Sequence, residues 1–297
     1  VCLIVCLIIV SSFIAALSFG AISVSFSEVI YALAFYSETN LAHKIVVELR
    51  LPRTILAFLA GCGLAMAGLI LQTVTRNPLA DPYLFGISSG ATFGVVLLFA
   101  VTGIQAGIML SGAAFLGSLV AIALLLLISR AKATQEVESM LLAGVALSFL
   151  FSASTSLLLY WSDPQAISAI IFWALGSFSR AQWQWLWLPS TAVIGCIFII
   201  LVYRRTLNSL LLGDESAVTL GVNVTKVRLG MLILSSLVTA VLVASCGGVG
   251  FVGLMIPHIV RFFISQASAA GLIYTALSGG LLMLWVDVVA RSLLINQ

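Results

Sequence analysis

Long apolar runs separated by short polar segments extend along all 297 residues of the chain. The runs are continuous, and several have about 20 residues, enough for an α-helix to cross the hydrocarbon core of a bilayer. Continuous runs disfavour a β-barrel, whose strands alternate apolar and polar residues. The pattern predicts an all-α, polytopic membrane protein. No polar stretch has room for a soluble domain, so residues 1–297 are predicted to form a single transmembrane domain.

The runs predict a series of spans joined by short loops. Spans are expected at about 1–22, 53–75, 86–103, 108–129, 139–161, 186–203, 229–245 and 272–294, with shorter apolar pieces at about 164–178 and around Pro257. The first run could also be a signal peptide, but similar apolar runs follow along the whole chain, which favours a first membrane span. Pro52 suits a helix start, where its missing N–H is harmless.

Several segments interrupt the helical pattern. Two prolines between Arg76 and Phe85 break the helix. The piece that begins at Pro164 is too short to cross, so we expect a re-entrant or partial helix packed in protein or lining a cavity. Glycines between Gly247 and Gly253 exclude a straight, lipid-facing helix.

Composition agrees with the membrane class and excludes other functions. Hydrophobic residues make up 62% of the chain and charged residues only 8%, whereas soluble domains have roughly 25% charged residues. The net charge of +3 indicates no nucleic-acid surface. The cysteines lie in or beside apolar runs and are expected to be structural. His43 and His258 have no metal partners at ligand spacing, so no metal site is predicted.

The loop charges predict an orientation. With the first end inside, most of the 13 Lys and Arg residues face the cytoplasm, as the positive-inside rule requires. Arg50, Arg53 and Arg291 then face outward. They could bind carboxylates on a partner protein or reach lipid headgroups. Asp287 and Arg291 are four residues apart and are expected to pair along one helix face.

The longest polar interruption, about residues 204–228, separates two apolar runs. Its middle, Glu215 to Gly221, predicts a short helix with an acidic first turn and a glycine stop. Such a helix could be a handle for a partner, and an ordinary solvated loop also fits. The glycines from Gly86 to Gly94 do not form a phosphate loop, since no Gly-Lys-Ser/Thr follows. Any ATP chemistry must therefore belong to another chain, and the protein is not predicted to be an enzyme.

Several motifs agree on one family. They are Arg50-Leu51-Pro52-Arg53-Thr54, Arg76-Asn77-Pro78-Leu79-Ala80-Asp81-Pro82, Gly86-Ile87-Ser88-Ser89-Gly90-Ala91, Leu142-Ala143-Gly144-Val145-Ala146-Leu147, Leu220-Gly221, Gly250-Phe251-Val252-Gly253-Leu254 with Ile256-Pro257-His258, and Asp287 with Ala290-Arg291. In this order they resemble the FecCD-type permeases, the membrane subunits of type II ABC importers for iron-siderophores, haem and cobalamin.

The resemblance implies a ten-helix permease fold in the prokaryotic cytoplasmic (inner) membrane. The last helix of that fold would follow Gln297 and is expected to be absent from this chain. The permease would work as a homodimer or close heterodimer with the substrate path at the subunit interface. Two ATPase subunits would bind inside, and a periplasmic or lipoprotein binding protein would bind outside. No cofactor is implied.

The resemblance also assigns residues. The 204–228 stretch becomes the cytoplasmic coupling loop, whose ATPase-contacting residues would be Asp214, Glu215, Ser216, Ala217, Gly221 and Val222. Arg50, Arg53 and Arg291 match outer arginines that dock the binding protein. Asn77 and Leu79 match a cytoplasmic gate. A second gate element falls at Glu136–Ser139, which is more acidic than the family pattern. Residues expected along the path are Phe172, Trp173, Phe251 and Met255.

The substrate is left open by the sequence. An iron-siderophore or haem is the commonest cargo that the family implies, and cobalamin or a molybdate-type oxyanion remains an alternative. A secondary transporter or channel without ATPases is a second class of function. Its weakness is that the few buried acids do not form a convincing proton relay.

Overall fold

The computed structural model describes residues 2–20, 22–103, 107–131, 137–162, 164–265 and 268–293. Within them the chain is helical and contains no strand, which confirms the all-α prediction. The α-helices are α1 (Cys2–Ser18), α2 (Phe26–Ala34), α3 (Leu41–Lys44), α4 (Leu51–Thr75), α5 (Ile87–Thr102), α6 (Gly107–Ala131), α7 (Val137–Tyr160), α8 (Pro164–Ala174), α9 (Trp187–Leu211), α10 (Asp214–Thr219), α11 (Val224–Cys246), α12 (Val252–Arg261) and α13 (Ala269–Leu293).

Six of the described helices are long and apolar enough to cross a membrane. The longest runs without a break from Leu41 to Thr75, and shorter apolar helices lie at Ile4–Ser18, Ile87–Thr102 and Val252–Arg261. α5 therefore occupies the predicted third span with fewer residues than a full crossing. The predicted pieces around 164–178 and Pro257 are short helices, as expected.

The centre of the bundle is α4, which is buried along most of its length and contacts α9, α11, α12 and α13. Small residues allow this close packing. A Cβ added at Gly61 would lie 2.0 Å from the carbonyl oxygen of Gly279 on α13. A Cβ at Gly68 would lie 2.0 Å from the carbonyl oxygen of Gly253 on α12. The strip of small residues on α4 thus brings two neighbouring helices to backbone contact.

Pro52 does not begin a helix, contrary to the sequence prediction. α3 continues into α4 through a π-helical turn, Ile45–Arg50, and the N–H of Leu51 donates to the carbonyl of Val46. A proline inside a helix leaves the carbonyl four residues earlier without its donor. The wider π turn just before Pro52 accommodates this defect, so the helix continues instead of starting there.

The glycine-rich break between α11 and α12 is packed inside the protein. Gly247 has φ +77°, and an added Cβ would lie 2.4 Å from the carbonyl oxygen of Trp173. The N–H of Ser177 donates to the carbonyl of Cys246 at 2.7 Å, and the N–H of Val249 donates to the Tyr83 hydroxyl at 2.7 Å. Irregular backbone at membrane depth needs such internal partners, so the break confirms the sequence prediction.

Candidate coupling and gate site

The middle of the polar stretch forms α10, a helix of six residues. Gly221, at φ +81°, ends it in the left-handed conformation. The N–H of Gly221 donates to the carbonyl of Val218 at 2.9 Å, and the N–H of Val222 donates to that of Ala217 at 3.0 Å. This paired arrangement is a Schellman motif. The prediction of a short helix stopped by glycine is therefore confirmed.

α10 has an anchored face and an outward face. Ala217 is fully buried against its own chain. Val218 and Leu220 are 61% and 64% exposed, and Glu215 and Ser216 are exposed beside them. A carboxylate next to exposed apolar side chains, on a rigid helix at the polar end of a bundle, suits a protein partner. This surface fits a handle for a partner as well as an ordinary solvated segment, so the handle stays a prediction.

Asp214 is turned toward its own chain. Nη2 of Arg76 donates to Oδ1 of Asp214 at 2.9 Å, and Nη2 of Arg228 donates to the same carboxylate at 3.1 and 3.2 Å. These ion pairs leave 43% of the Asp214 side chain exposed, and its predicted contact with an ATPase stays a prediction. The carboxylate bridges the loop after α4 and the first turns of α11.

The predicted gate residues lie in that same loop. Arg76 ends α4 with φ 51°, a left-handed conformation that non-glycine residues rarely adopt. The Oδ1 of Asn77 accepts from the N–H of Leu79 at 2.9 Å, and the Asn77 carbonyl accepts from the N–H of Ala80 at 3.1 Å. Asn77 therefore holds the turn, and the Leu79 side chain projects into the open. Their gating role remains a prediction.

Asp81 closes the loop by accepting from the N–H of Tyr83 at 2.8 Å. Burial raises the pKa of this carboxyl, and the N–H groups of Tyr83 and Leu254 oppose that effect. The loop that follows α4 is thus fixed by Asn77 at its start and by Asp81 at its end. The second gate element predicted at Glu136–Ser139 lies largely outside the described residues.

At the opposite end of α4, the three predicted docking arginines are engaged internally. Arg50 is only 7% exposed and donates to the carbonyls of Leu17, Ser18 and Ile22. Helix C-termini leave carbonyls without intrahelical partners, and Arg50 supplies donors to those of α1. Its burial corrects the expectation of an outward-facing guanidinium.

Arg53 and Arg291 share one carboxylate at this end. Arg53 donates to Asp287 from Nε at 3.0 Å and from Nη2 at 2.7 Å. Nε of Arg291 lies 3.7 Å from Oδ2 of the same residue, and its Nη2 donates to the carbonyl of Ala16 at 2.5 Å. The predicted pairing of Asp287 with Arg291 is confirmed, and Arg53 is the closer partner. With 25% of its side chain exposed, Arg53 is more accessible than Arg291 at 9%.

The predicted path residues divide into two groups. Phe172, Phe251 and Met255 are exposed on the surface of the subunit, where a neighbouring subunit could contact them. Trp173 is 7% exposed and packs in a cluster with side chains of α5 and α11. The structure therefore corrects its assignment, since Trp173 fills the core of its own subunit.

The exposed face of α12 is wider than the sequence reading indicated. His258, Ile259 and Phe262 are exposed together with Phe251 and Met255, and the spacing places all of them on one helix face. The helical period of these residues is readable from the sequence, but their common exposure is not. No group of His, Cys, Asp and Glu side chains in the described ranges could hold a metal ion.

Six apolar helices long enough to cross a membrane, packed around α4, define a polytopic helical membrane protein. The family model described as the FecCD transport family matches residues 6–297. The chain belongs to that family. Its members are membrane permease subunits of ABC importers, and the ATPase activity of those importers lies in partner subunits. The resemblance read from the sequence is thereby confirmed.

Relatives and a solved structure agree with this assignment. The chain is 38% identical over 278 residues to the hemin transport system permease HmuU of Yersinia pestis, covering 92% of this chain and 82% of the relative. It is 35% identical over 296 residues to the molybdate import permease MolB of Haemophilus influenzae, covering 97% and 86%. A metal-chelate type ABC transporter in an inward-facing conformation superimposes with a TM-score of 0.86 at 33% identity, covering 97% of this chain and 89% of that one.

Proposed function

We propose that this protein is the permease subunit of a binding-protein-dependent importer that carries a metal chelate across a prokaryotic cytoplasmic membrane. The observation that carries the proposal is α10, which is anchored by Ala217 and presents Glu215, Val218 and Leu220 outward. A membrane bundle without a nucleotide-binding motif needs such a surface to receive work from a separate ATPase.

Two ATPase subunits would bind the α10 helices of two permease subunits, most simply a homodimer. ATP binding would draw the ATPases together and displace both α10 helices. Since α10 lies between α9 and α11 and contacts both, its displacement would tilt these spans. The substrate path would then lie between the two subunits, next to the exposed side chains Phe172, Phe251 and Met255.

A binding protein would deliver the substrate at the end of α4 that carries Arg53. Arg53 keeps a quarter of its side chain exposed while it pairs with Asp287. An acidic residue on a binding protein could compete for or share this guanidinium, because arginine offers several donors in a fixed fork. Arg50 and Arg291 would support docking indirectly by fixing the end of α1.

The exposed stripe of α12 favours a bulky cargo. Phe251, Met255 and Phe262 offer aromatic and thioether contacts, which suit the large apolar surface of a haem or an iron-siderophore better than a small oxyanion. Relatives are named for both hemin and molybdate, so cobalamin and molybdate-type oxyanions stay among the substrates to be tested.

The test is uptake into proteoliposomes that contain the permease, its co-purifying ATPase and its binding protein. Haem, a ferric siderophore, cobalamin and molybdate would be offered separately. We expect ATP, and not a non-hydrolysable analogue, to drive uptake of a metal chelate only when the binding protein is present. Uptake driven by an ion gradient without nucleotide would instead identify a secondary transporter.

A further inference from the structure

The carboxylate of Asp214 joins two parts of the chain that are distant in sequence. Its Oδ1 accepts from Arg76, 138 residues away, and from Arg228, 14 residues away. Arg76 follows α4 directly, and Arg228 lies in the second turn of α11. α10 is therefore linked by side chains to both helices, in addition to its connections along the backbone.

The position of Arg76 gives this link a direction. Arg76 is followed immediately by the turn that Asn77 holds and from which Leu79 projects. Its own backbone is left-handed, so the turn leaves α4 sharply and the guanidinium points toward α10. An added Cβ on Gly213 would lie 3.7 Å from Nη1 of Arg76, so the backbone just before α10 also lies beside this side chain.

We propose that Arg76 is a positioning residue that transmits movement of α10 to the loop holding Asn77 and Leu79, through its ion pair with Asp214. The inference rests on the proposed function, because it assumes that a partner moves α10. Asp214 then acts inside the permease, while Glu215 and Val218 contact the partner. The loop follows α10 because its first residue is held by a carboxylate on that helix.

The accessibility of the pair makes the link testable without unfolding the protein. The side chains of Arg76 and Asp214 are each 43% exposed, whereas that of Arg228 is 13% exposed. Ion pairs exposed to this degree contribute little to folding, so removing the Arg76 contact should leave the fold intact. The more buried contact with Arg228 holds the Asp214 carboxylate in place beside Arg76.

The experiment places an environment-sensitive fluorophore on one cysteine at a time, in the full permease assembled with its ATPase in nanodiscs. Cys2 and Cys6 are replaced by Ser, and the buried cysteines are kept. Leu79→Cys reports the loop and Val218→Cys reports α10, since both native side chains are exposed. The readout is the emission shift produced by ATP with vanadate.

We expect nucleotide to shift the emission at both positions in the parent protein. Arg76→Gln should reduce the shift at position 79 by more than about half, because the loop is then no longer held to Asp214, while the shift at 218 is retained. Arg76→Lys, which keeps the charge, should restore most of it. Arg76→Gln combined with Asp214→Asn should reduce the shift at position 79 no more than Asp214→Asn alone, because the Arg76–Asp214 contact is already lost in Asp214→Asn.

The control is Arg205→Gln, which removes a positive charge from an exposed position on α9 and should leave both shifts intact. A full shift at position 79 in Arg76→Gln would overturn the link and leave the proposed function standing. No shift at 218 in the parent protein would instead overturn the proposed function, and the link with it.

Discussion

Replacing Asp287 with Asn should destabilise the protein strongly, because this carboxylate neutralises two arginines near the C-terminal end of α13. Asp287 is 4% exposed, and its partners Arg53 and Arg291 are 25% and 9% exposed. Removing one partner of a buried ion pair costs about 3–5 kcal/mol, since it leaves an uncompensated charge. Arg53 retains some water, so we expect a loss near the lower end, about 3 kcal/mol.

A loss of this size should lower the apparent melting temperature of a 297-residue chain by about 5 °C. The assay is fluorescence-detected size exclusion of detergent-solubilised protein after heating, with Glu38→Gln as the control because Glu38 is exposed. Adding Arg53→Gln to Asp287→Asn should recover part of the stability, since one unpaired charge is removed. If Asp287→Asn melts within about 1 °C of the parent, the internal role of these arginines is wrong.

Three further predictions address packing, the gate loop and the handle. Gly61→Ala should destabilise by about 1–3 kcal/mol because its Cβ would meet backbone of α13, whereas Gly195→Ala, which meets nothing within 4 Å, should be neutral or stabilising in the same melting assay. Asp81→Asn keeps the acceptor and removes a charge. Burial raises the pKa of Asp81 in the folded state above its ordinary value of 3.8. Ionisation of this carboxyl therefore destabilises the fold as the pH rises from 3.8 through the folded-state pKa. The variant should therefore be the more stable one at pH 7, with the advantage fading toward pH 4; an unchanged difference across that range would contradict the assignment. Glu215→Lys should reduce ATPase co-purification at least about fivefold, as expected for a lost interfacial charge contact, while Glu38→Lys at the other end should not, and equal recovery of the ATPase with both variants would count against α10 as the handle.

The local features of the fold were readable because they depend on neighbouring residues. The Asn77-Pro78 step ended α4 near Thr75 as expected, and Gly221 stopped the short helix through its left-handed conformation. Apolar runs located the spans, although the helix predicted from about residue 53 is continuous from Leu41 and the one predicted to end near residue 203 continues to Leu211. Membrane helices follow from local hydropathy, since their backbone groups are satisfied within each segment.

Features that depend on long-range contacts could not be predicted from the sequence. Arg50 donates to carbonyls at the end of α1 and to that of Ile22 just beyond it, 28 to 33 residues away. No local pattern shows whether a guanidinium contacts carbonyls or solvent. Trp173 is buried because α5 and α11 pack over it, while its neighbour Phe172 is exposed. Pro52 lies within a continuous helix because the preceding turn widened, an adjustment with no sequence signature.

The outward face of α10 is proposed to receive work from a separate ATPase. A photo-crosslinking amino acid at Val218, compared with one at the exposed Leu41 near the opposite end of the long helix, tests it in native membranes. We predict that position 218 yields a crosslink to an ABC ATPase that changes in intensity with ATP, and that position 41 does not. If position 218 gives no crosslink to an ATPase, or one whose intensity does not change with ATP, the proposal is contradicted. A crosslink between position 41 and an ATPase would also contradict it.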